Sequence, residues 1–267
     1  MIPKILHFVW FGVNPLPIDI VNSWKAHHGD YEIKIWTEKE VDAFKLQNKN
    51  HWVAAKNRFN QKSDIARYEI LLRYGGVYVD TDIYCMARIP DDWLSLDSFC
   101  CFEKKYLVSN SFIACKPGHS IMKDIVNVIG LNYNYEETIW KCTGPLLFTN
   151  YIKTIVDEKN KIFKPTPVNL CIKWSKQLMD KPDDFNLFLQ SESQITNPHH
   201  NKDLVYKWDK DEIVGVQIWM GGNNKNYNKL RKFTSNIETN FMKYVDFLQE
   251  TQNMKLNNFD TTQFRLK

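Results

Sequence analysis

The chain has no long apolar run, no CxxC pair, no N-x-S/T sequon and little arginine, and each absence narrows what it can be. Without a run near the ~20 apolar residues of a membrane-spanning helix, no transmembrane segment is expected. The N-terminal MIPKILHFVWFG has neither a basic leader nor a small-residue cleavage site after a long apolar stretch, so no signal peptide is expected either. Six cysteines (Cys85, Cys100, Cys101, Cys115, Cys142, Cys171) show no zinc-ligand spacing, and a chain this long needs no disulfide framework. Several lie in apolar runs and are read as reduced, buried thiols. These features predict a cytoplasmic protein, with peripheral membrane association left open. Lysine far outnumbers arginine, the net charge is only +4, and the lysines are spread along the chain. That pattern predicts solubility and no nucleic-acid partner.

What is present is apolar and aromatic. Hydrophobic residues make up 43% of the 267, enough for a sizeable core, and aromatics with nine Trp reach 14%, a composition suited to stacking sugars or bases. The length favours one large domain over two. KILHFVWF (4–11) reads as a strand buried on both faces, and YEIKIW (31–36) alternates as a second strand. A short helix carries Ile18, Val21 and Trp24, and Thr37 with Glu40 forms a capping box for a helix over 38–47. VAAKNRF predicts a further helical turn or two. Later strands are expected at 99–103, 110–115, 168–174 and 214–219, and helices at 119–129, 145–157 and 227–250. Alternating strands and helices predict an α/β fold with a mostly parallel sheet flanked by helices. Residues 180–212 read as loop, and 251–267 as a C-terminal tail.

The most informative stretch is SDIARYEILLRYGGVYVDTDIY, residues 63–84. Ser63 is a candidate N-cap for a helix that ends at Gly75, where a positive φ suits glycine. A short strand, VYV, then stops on Asp80 and Asp82. A lone DxD says little, since DKDE (209–212) contains another among lysines and reads as a solvated turn. The copy at 80–82 follows a buried strand, and open α/β sheets bind ligands beyond the carboxyl ends of their strands. Two carboxylates there repel unless a cation lies between them or one is protonated. A hard divalent ion shared with phosphate oxygens suits such ligands, and a plain strand-end turn is the alternative. Asp64 and Arg67 are neighbours on one helix face, either as an ordinary ion pair or as ligand-holding groups.

Several segments together resemble glycosyltransferase family 32, the DxD sugar transferases, and more distantly the glucosyltransferase domain of large clostridial toxins. They are IPKILHFVWFG (2–12), Ser23-Trp24, residues 63–83, CFE (101–103), SNSFIACKPGH (109–119) and TGP (143–145). The resemblance implies a nucleotide-sugar-binding GT-A (Rossmann-like) fold over 1–250, with 1–150 on the donor side and 151–250 divergent on the acceptor side. It implies a metal-dependent, retaining transfer of a hexose from a UDP- or GDP-sugar to a glycan, lipid-linked or protein acceptor. By position, Asp82 would bind Mn²⁺ (or Mg²⁺), and Asp80 would contact the donor and the metal's water shell. Asp64 would hold donor hydroxyls, Arg67 would lie near the sugar and diphosphate, and Trp10 beside Val9 would stack the base. Tyr78 belongs to the same donor-binding set. The family's C-terminal histidine is replaced by Gln217 in VQIWMGGNN (216–224), so Gln217 is the candidate third ligand, with Asn223 and Asn224 as further contacts to metal or diphosphate. Glu103 and Asn110 are acceptor-side candidates, and His199 and His200, adjacent in a Pro/Asn loop, are weaker candidates for a place in the site. A haloacid-dehalogenase-type phosphatase fits poorly, because Tyr84 stands where that motif has Thr or Val. A donor- or glycan-binding module that has lost turnover remains the non-enzymatic alternative.

Overall fold

The computed structural model describes residues 1–104, 107–134, 137–163, 168–171, 194–195, 213–218 and 243. The chain divides into two compact units, Met1–Cys171 with Gln194–Asn224, and Ile172–Ser193 with Lys225–Lys267. Both sheets and all the helices named below belong to the first unit. Expected features at 180–193, 199–200, 209–212, 223–224 and 251–267, and all but one residue of the helix expected over 227–250, lie outside the described residues.

The main sheet contains β1 (Ile5–Val9), β2 (Glu32–Trp36), β3 (Gly76–Val79), β5 (Ser98–Lys104), β6 (Leu107–Cys115) and β7 (Asn160–Phe163) in the order β2-β1-β3-β6-β5-β7. Three of its pairings are parallel (β1–β2, β1–β3, β5–β7) and two antiparallel (β3–β6, β5–β6). A second sheet joins β4 (Ile83–Cys85), β10 (Gly215–Gln217), β8 (Val168–Cys171) and β9 (Gln194–Ile195). The fold is therefore the expected α/β class. None of the helices among the described residues is long and apolar enough to cross a membrane.

Helices α1 (Ile18–His27), α2 (Glu38–Phe44), α3 (Lys49–Ala54), α4 (Phe59–Tyr74), α5 (Ser120–Asn132), α6 (Ile139–Cys142) and α7 (Pro145–Ile152) complete the described elements. The Thr37–Glu40 capping box is present. Two helical expectations need correction. VAAKNRF is helical only at its ends: Val53 and Ala54 close α3 and Phe59 opens α4, while Lys56 takes a positive φ of 49° in the bend between them. Ser63 is not an N-cap either, because α4 begins four residues upstream with Arg58 as its cap residue. No proline or glycine interrupts 59–74, so propensity carries the helix back to the bend.

Residues 64–71 of α4 are all buried, so the helix is enclosed rather than laid over a surface. Strand β3 is likewise buried at all four positions. Side chains alternate across a strand, and Tyr78 with Ile113 joins the cluster containing α4, while Phe112 lies against Trp24 (ring centroids 6.0 Å). The turn from α4 to β3 passes through two glycines at positive φ, 61° and 86°. A Cβ at Gly75 would meet the Cys115 carbonyl at 2.7 Å, and one at Gly76 the Ile5 carbonyl at 2.7 Å. Only glycine admits both the dihedral and the close approach.

Two buried histidines lock this framework. His7 Nε2 bonds the Gly75 carbonyl (2.9 Å), and its Nδ1 accepts from Trp36 Nε1 (3.1 Å). His28 Nδ1 bonds the Trp24 carbonyl (2.9 Å), and its Nε2 accepts from the Ile89 amide (2.9 Å). Each ring uses one nitrogen as donor and one as acceptor, which defines a neutral tautomer. Burial lowers both pKa values to about 4. The unfolded chain therefore binds protons first, and the two rings contribute stability above pH 6.5 that is lost as pH falls towards 4. Urea titrations should show this as a slope of up to about 1.4 kcal/mol per pH unit for each histidine. His7→Gln should remove one histidine's share, and an unchanged slope would refute the neutral assignment.

Candidate active site

Strands β1 and β3 are parallel (Leu6↔Val77, His7↔Tyr78), so their carboxyl ends reach the same edge of the sheet. Asp80 follows β3 directly and extends its pairing, its amide bonding the Ser111 carbonyl at 2.8 Å. The chain then turns, with Ile83 N–H on the Asp80 carbonyl (3.1 Å), and enters the second sheet as β4. Asp80 thus ends one sheet and Asp82 begins the other. The buried Trp24 indole donates to the Ile83 carbonyl (2.7 Å), and the Cys85 amide donates to Ser23 Oγ (2.9 Å). These two bonds give the Ser23-Trp24 pair its role, which is to anchor the strand leaving the aspartates.

Arg67 is the centre of the site. It is buried, and its guanidinium lies over the Tyr78 ring at 4.4 Å. Nη2 meets Asp64 Oδ1 (3.0 Å) and Ser63 Oγ (3.3 Å). Nη1 meets Asp80 Oδ1 (3.2 Å) and the Asn110 carbonyl, and Nε meets the Ser63 carbonyl (3.3 Å). Three of these are hydrogen bonds, to the Ser63 carbonyl, Ser63 Oγ and the Asn110 carbonyl, and the two carboxylate contacts are ion pairs.

Asp64 is as fully enclosed. Its Oδ1 also accepts from Asn110 Nδ2 (2.9 Å), and Oδ2 accepts from Thr143 Oγ1 (3.0 Å). Burial pushes its carboxyl up to about 7; Arg67 opposes that push and Asp80 adds to it. Asp80, with a side chain 26% exposed, is also raised by burial, against the pull of Arg67 and of the Tyr78 hydroxyl, which donates to its Oδ1 at 2.5 Å. Both protein bonds fall on that one oxygen, and among the described residues nothing bonds Oδ2. Burial works against the Arg67 charge, but Asp80, Tyr78 and Asp64 outweigh it and hold the proton more tightly. One fixed cation therefore faces two carboxylates.

Asp82 is half-buried and belongs to a second group. Its carbonyl accepts from Ile218 N–H (2.9 Å), and Gln217 Nε2 lies 3.5 Å from its Oδ1. Gln217 Oε1 in turn accepts from Ser111 Oγ (3.1 Å), which bonds Ser109 Oγ (2.6 Å). Strand β10 makes this possible by pairing Gln217 with Ile83. The oxygen donors of Asp80 and Asp82 suit a hard divalent cation. Among the described residues no group of three His, Cys, Asp or Glu could hold a metal. A third protein ligand from these residues would be the Gln217 amide oxygen, and exchanging its O and N leaves the Ser111 contact intact, since a hydroxyl both donates and accepts.

Val9 is buried at the end of β1, and Trp10, half-buried, pairs its amide with the Trp36 carbonyl (2.9 Å) and its indole N–H with the Asn14 carbonyl (2.7 Å). Asn110 lies beside Asp64 and also donates to the Tyr68 hydroxyl (3.1 Å). Glu103 is buried on β5, one strand further from β3 than β6. Sequence reasoning missed the parts of Ser63, Tyr68, Ser111 and Thr143. The last three sit in or beside the SNS and TGP pieces and on α4, where small hydroxyls inside apolar segments were the available signal.

Residues 17–100 match the family described as glycosyltransferase sugar-binding region containing DXD motif, a span that holds Asp64, Arg67, Tyr78, Asp80 and Asp82. That part of the chain is similar to the DXD sugar transferases. Inositol phosphoceramide mannosyltransferase 1 of Schizosaccharomyces pombe is 30% identical over 171 residues, 57% of this chain and 53% of its own length. Inositol phosphoceramide mannosyltransferase 3 of the same yeast is 28% identical over 158 residues, 55% and 44% of the two lengths. The chain thus spans about half of these curated relatives. Among solved structures, the PaToxG glycosyltransferase aligns over 57% of this chain and 68% of its own at 18% identity and a TM-score of 0.48. The expected resemblance to the DXD sugar-transferase family is shown.

The enclosed charges make a direct test of the site's construction. Arg67→Met leaves two buried carboxylates without their cation and should lower the unfolding free energy by about 3–5 kcal/mol at pH 8. The loss should shrink at pH 6, where the carboxyls take up protons instead. Equal stability of variant and wild type at both pH values would show that the ion cluster is not formed.

Proposed function

We propose that the chain is a metal-dependent, retaining glycosyltransferase of GT-A type, moving a hexose from a UDP- or GDP-sugar to a saccharide, glycolipid or protein acceptor. The observation that carries this is the meeting, at the carboxyl end of β3, of the Asp64–Arg67–Asp80 cluster with Asp82. The match over residues 17–100 supports it, and the mannosyltransferase relatives make a mannosyl donor and a lipid-linked acceptor the first candidates.

In this reading Asp82, Asp80 and Gln217 would hold Mn²⁺ or Mg²⁺, whose charge would offset that building on the leaving nucleoside diphosphate. The second oxygen of Asp80 receives donor hydroxyls, and Asp64, bonded to Asn110 and Thr143, holds Arg67 in place beside it. Arg67 acts as a positioning residue, since its N–H groups are committed to the two aspartates and to α4 and β6. Trp10, with Val9, offers the base a flat apolar surface at the end of β1. The acceptor hydroxyl attacks the anomeric carbon on the face the diphosphate leaves. The bond to the diphosphate oxygen breaks, and that oxygen takes the acceptor's proton. Trapping of a glycosyl-enzyme on Asp or Glu would replace this scheme with a double displacement. The free thiols Cys85, Cys100, Cys101, Cys115 and Cys142 suit the reducing cytoplasmic setting proposed for it.

The test is donor hydrolysis across UDP- and GDP-sugars with Mn²⁺. We expect one nucleoside diphosphate to be released, with the rate lost in chelator and in Asp82→Asn. Silence with every donor, beside a thermal shift on adding UDP or GDP, would instead favour a donor-binding module without turnover. The missing third acidic or imidazole ligand among the described residues is the observation behind that second reading. Gln217 separates the two further. As a ligand, its change to Leu should raise the Mn²⁺ concentration for half-maximal hydrolysis about 10–100-fold, and Gln217→His should lower it. An unchanged Mn²⁺ dependence in both variants would remove Gln217 from the metal site.

A further inference from the structure

Between Asp42 and Asp64 the sequence holds Lys45, Lys49, Lys56, Arg58 and Lys62 and no acidic residue. Spread thinly along the sequence, these cations are gathered by the bend between α3 and α4. Lys49 is neutralised by Asp42 (2.9 Å), and Lys62 lies over the Trp52 ring at 4.1 Å. Lys56 and Arg58 are exposed and form no ion pair among the described residues. Glu38, before this stretch, is turned onto the Gly12 amide (2.8 Å).

Apolar side chains stand exposed among these cations. Val53, on α3, is 55% exposed, and Phe59, the first residue of α4, is 41% exposed. The loop after β1 packs onto the same corner: Phe11 meets Trp52 edge-on (5.5 Å), and a Cβ on Gly12 would lie 3.0 Å from the Phe59 ring. That loop therefore carries Val13, fully exposed, to the side of Phe59. Single exposed apolar residues are ordinary on a solvated face, but here three are gathered among cations, and a nucleic-acid surface would favour stacking aromatics and a denser row of cations. Cations bracketing exposed apolar tips match the interface of an anionic bilayer, where lysines and arginines meet the headgroups and the tips enter the acyl boundary.

We infer that the corner formed by Val13, Val53, Lys56, Arg58 and Phe59 docks the protein on an anionic membrane surface. Phe59 and Ser63 are four residues apart on α4, about 6 Å along the axis. Ser63 touches both Arg67 and Tyr78, so docking through this corner brings the site close to the lipid surface. The inference rests on the proposed transferase reading only for its purpose, a lipid-linked acceptor; the docking itself is independent.

The test is co-sedimentation of the full chain with vesicles of phosphatidylcholine containing about 30% phosphatidylserine, a fraction large enough to set up an anionic surface potential. Binding should be absent with phosphatidylcholine alone and should weaken as salt shortens the screening length. Lys56→Glu with Arg58→Glu should weaken it tenfold or more, and the uncharged Val53→Ser should weaken it without changing the salt dependence. None of these residues belongs to the site, so thermal unfolding and donor hydrolysis should stay at wild-type values. No binding to anionic vesicles, or equal binding by all variants, would overturn the inference. So would competition by a polyanion such as heparin that is unaffected by Val53→Ser, which would mark the corner as a site for a soluble anionic partner. Vesicle binding with no hydrolysis of any donor would sink the transferase reading and leave the docking standing.

Discussion

A single buried guanidinium, shared between two carboxylates that would otherwise repel, holds the candidate site together. Arg67 reaches Asp64 on its own helix and Asp80 at the end of the neighbouring strand, and its flat face rests on Tyr78. Buried charge is costly unless paired and hydrogen-bonded. The surroundings meet that condition by committing polar groups to it: Ser63, Asn110, Thr143 and the Tyr78 hydroxyl all bond one of the three ions. The position of β3 relative to α4, and hence of the DxD turn, follows from that cluster and from the two glycines that let the helix and strand meet at so short a bend.

The same cluster explains why a helix this buried can carry charge at its middle. Residues 64–71 of α4 are all buried, yet they include Asp64, Arg67 and Glu69. Glu69 is turned to the amides of Gln47 and Asn48, the latter at 2.8 Å, so that it closes the loop before α3. Each buried ion on α4 thereby fixes a different element: Asp64 the Thr143 turn, Arg67 the end of β3, Glu69 the approach to α3. Polar satisfaction of this kind restricts the alternatives open to an otherwise apolar core.

Much of this is legible in the sequence, and the reasons differ by element. Strands β1, β2, β3, β5 and β6 are readable because their apolar runs are bounded by turn residues, and the Thr37–Glu40 cap because its chemistry is local. The start of α4 is not, because Ser63 looks like a cap. Its hydroxyl instead bonds Tyr78 and Arg67, and the Tyr78 contact is one that no local pattern reveals. The set of contacts around Arg67 is hidden for the same reason. A one-dimensional reading gives a residue's neighbours at three and four positions, and two of the contacts that decide Arg67 come from the end of β3 and from β6. The short strands β4, β7 and β9 leave no trace because a few residues carry too little periodicity to register.

The two aspartates of the motif are separated by one residue in sequence but are held by different sheets. Asp80 is fixed by β6 and Arg67, whereas Asp82 is fixed by β10 and the residue after it, through Gln217 and the Ile218 amide. A substitution along β10 can therefore retune one carboxylate while the other keeps its place. In such an arrangement the place of Asp80 depends on the main sheet and that of Asp82 on the second, so the spacing of the two carboxylates is set by how the sheets are joined at this turn.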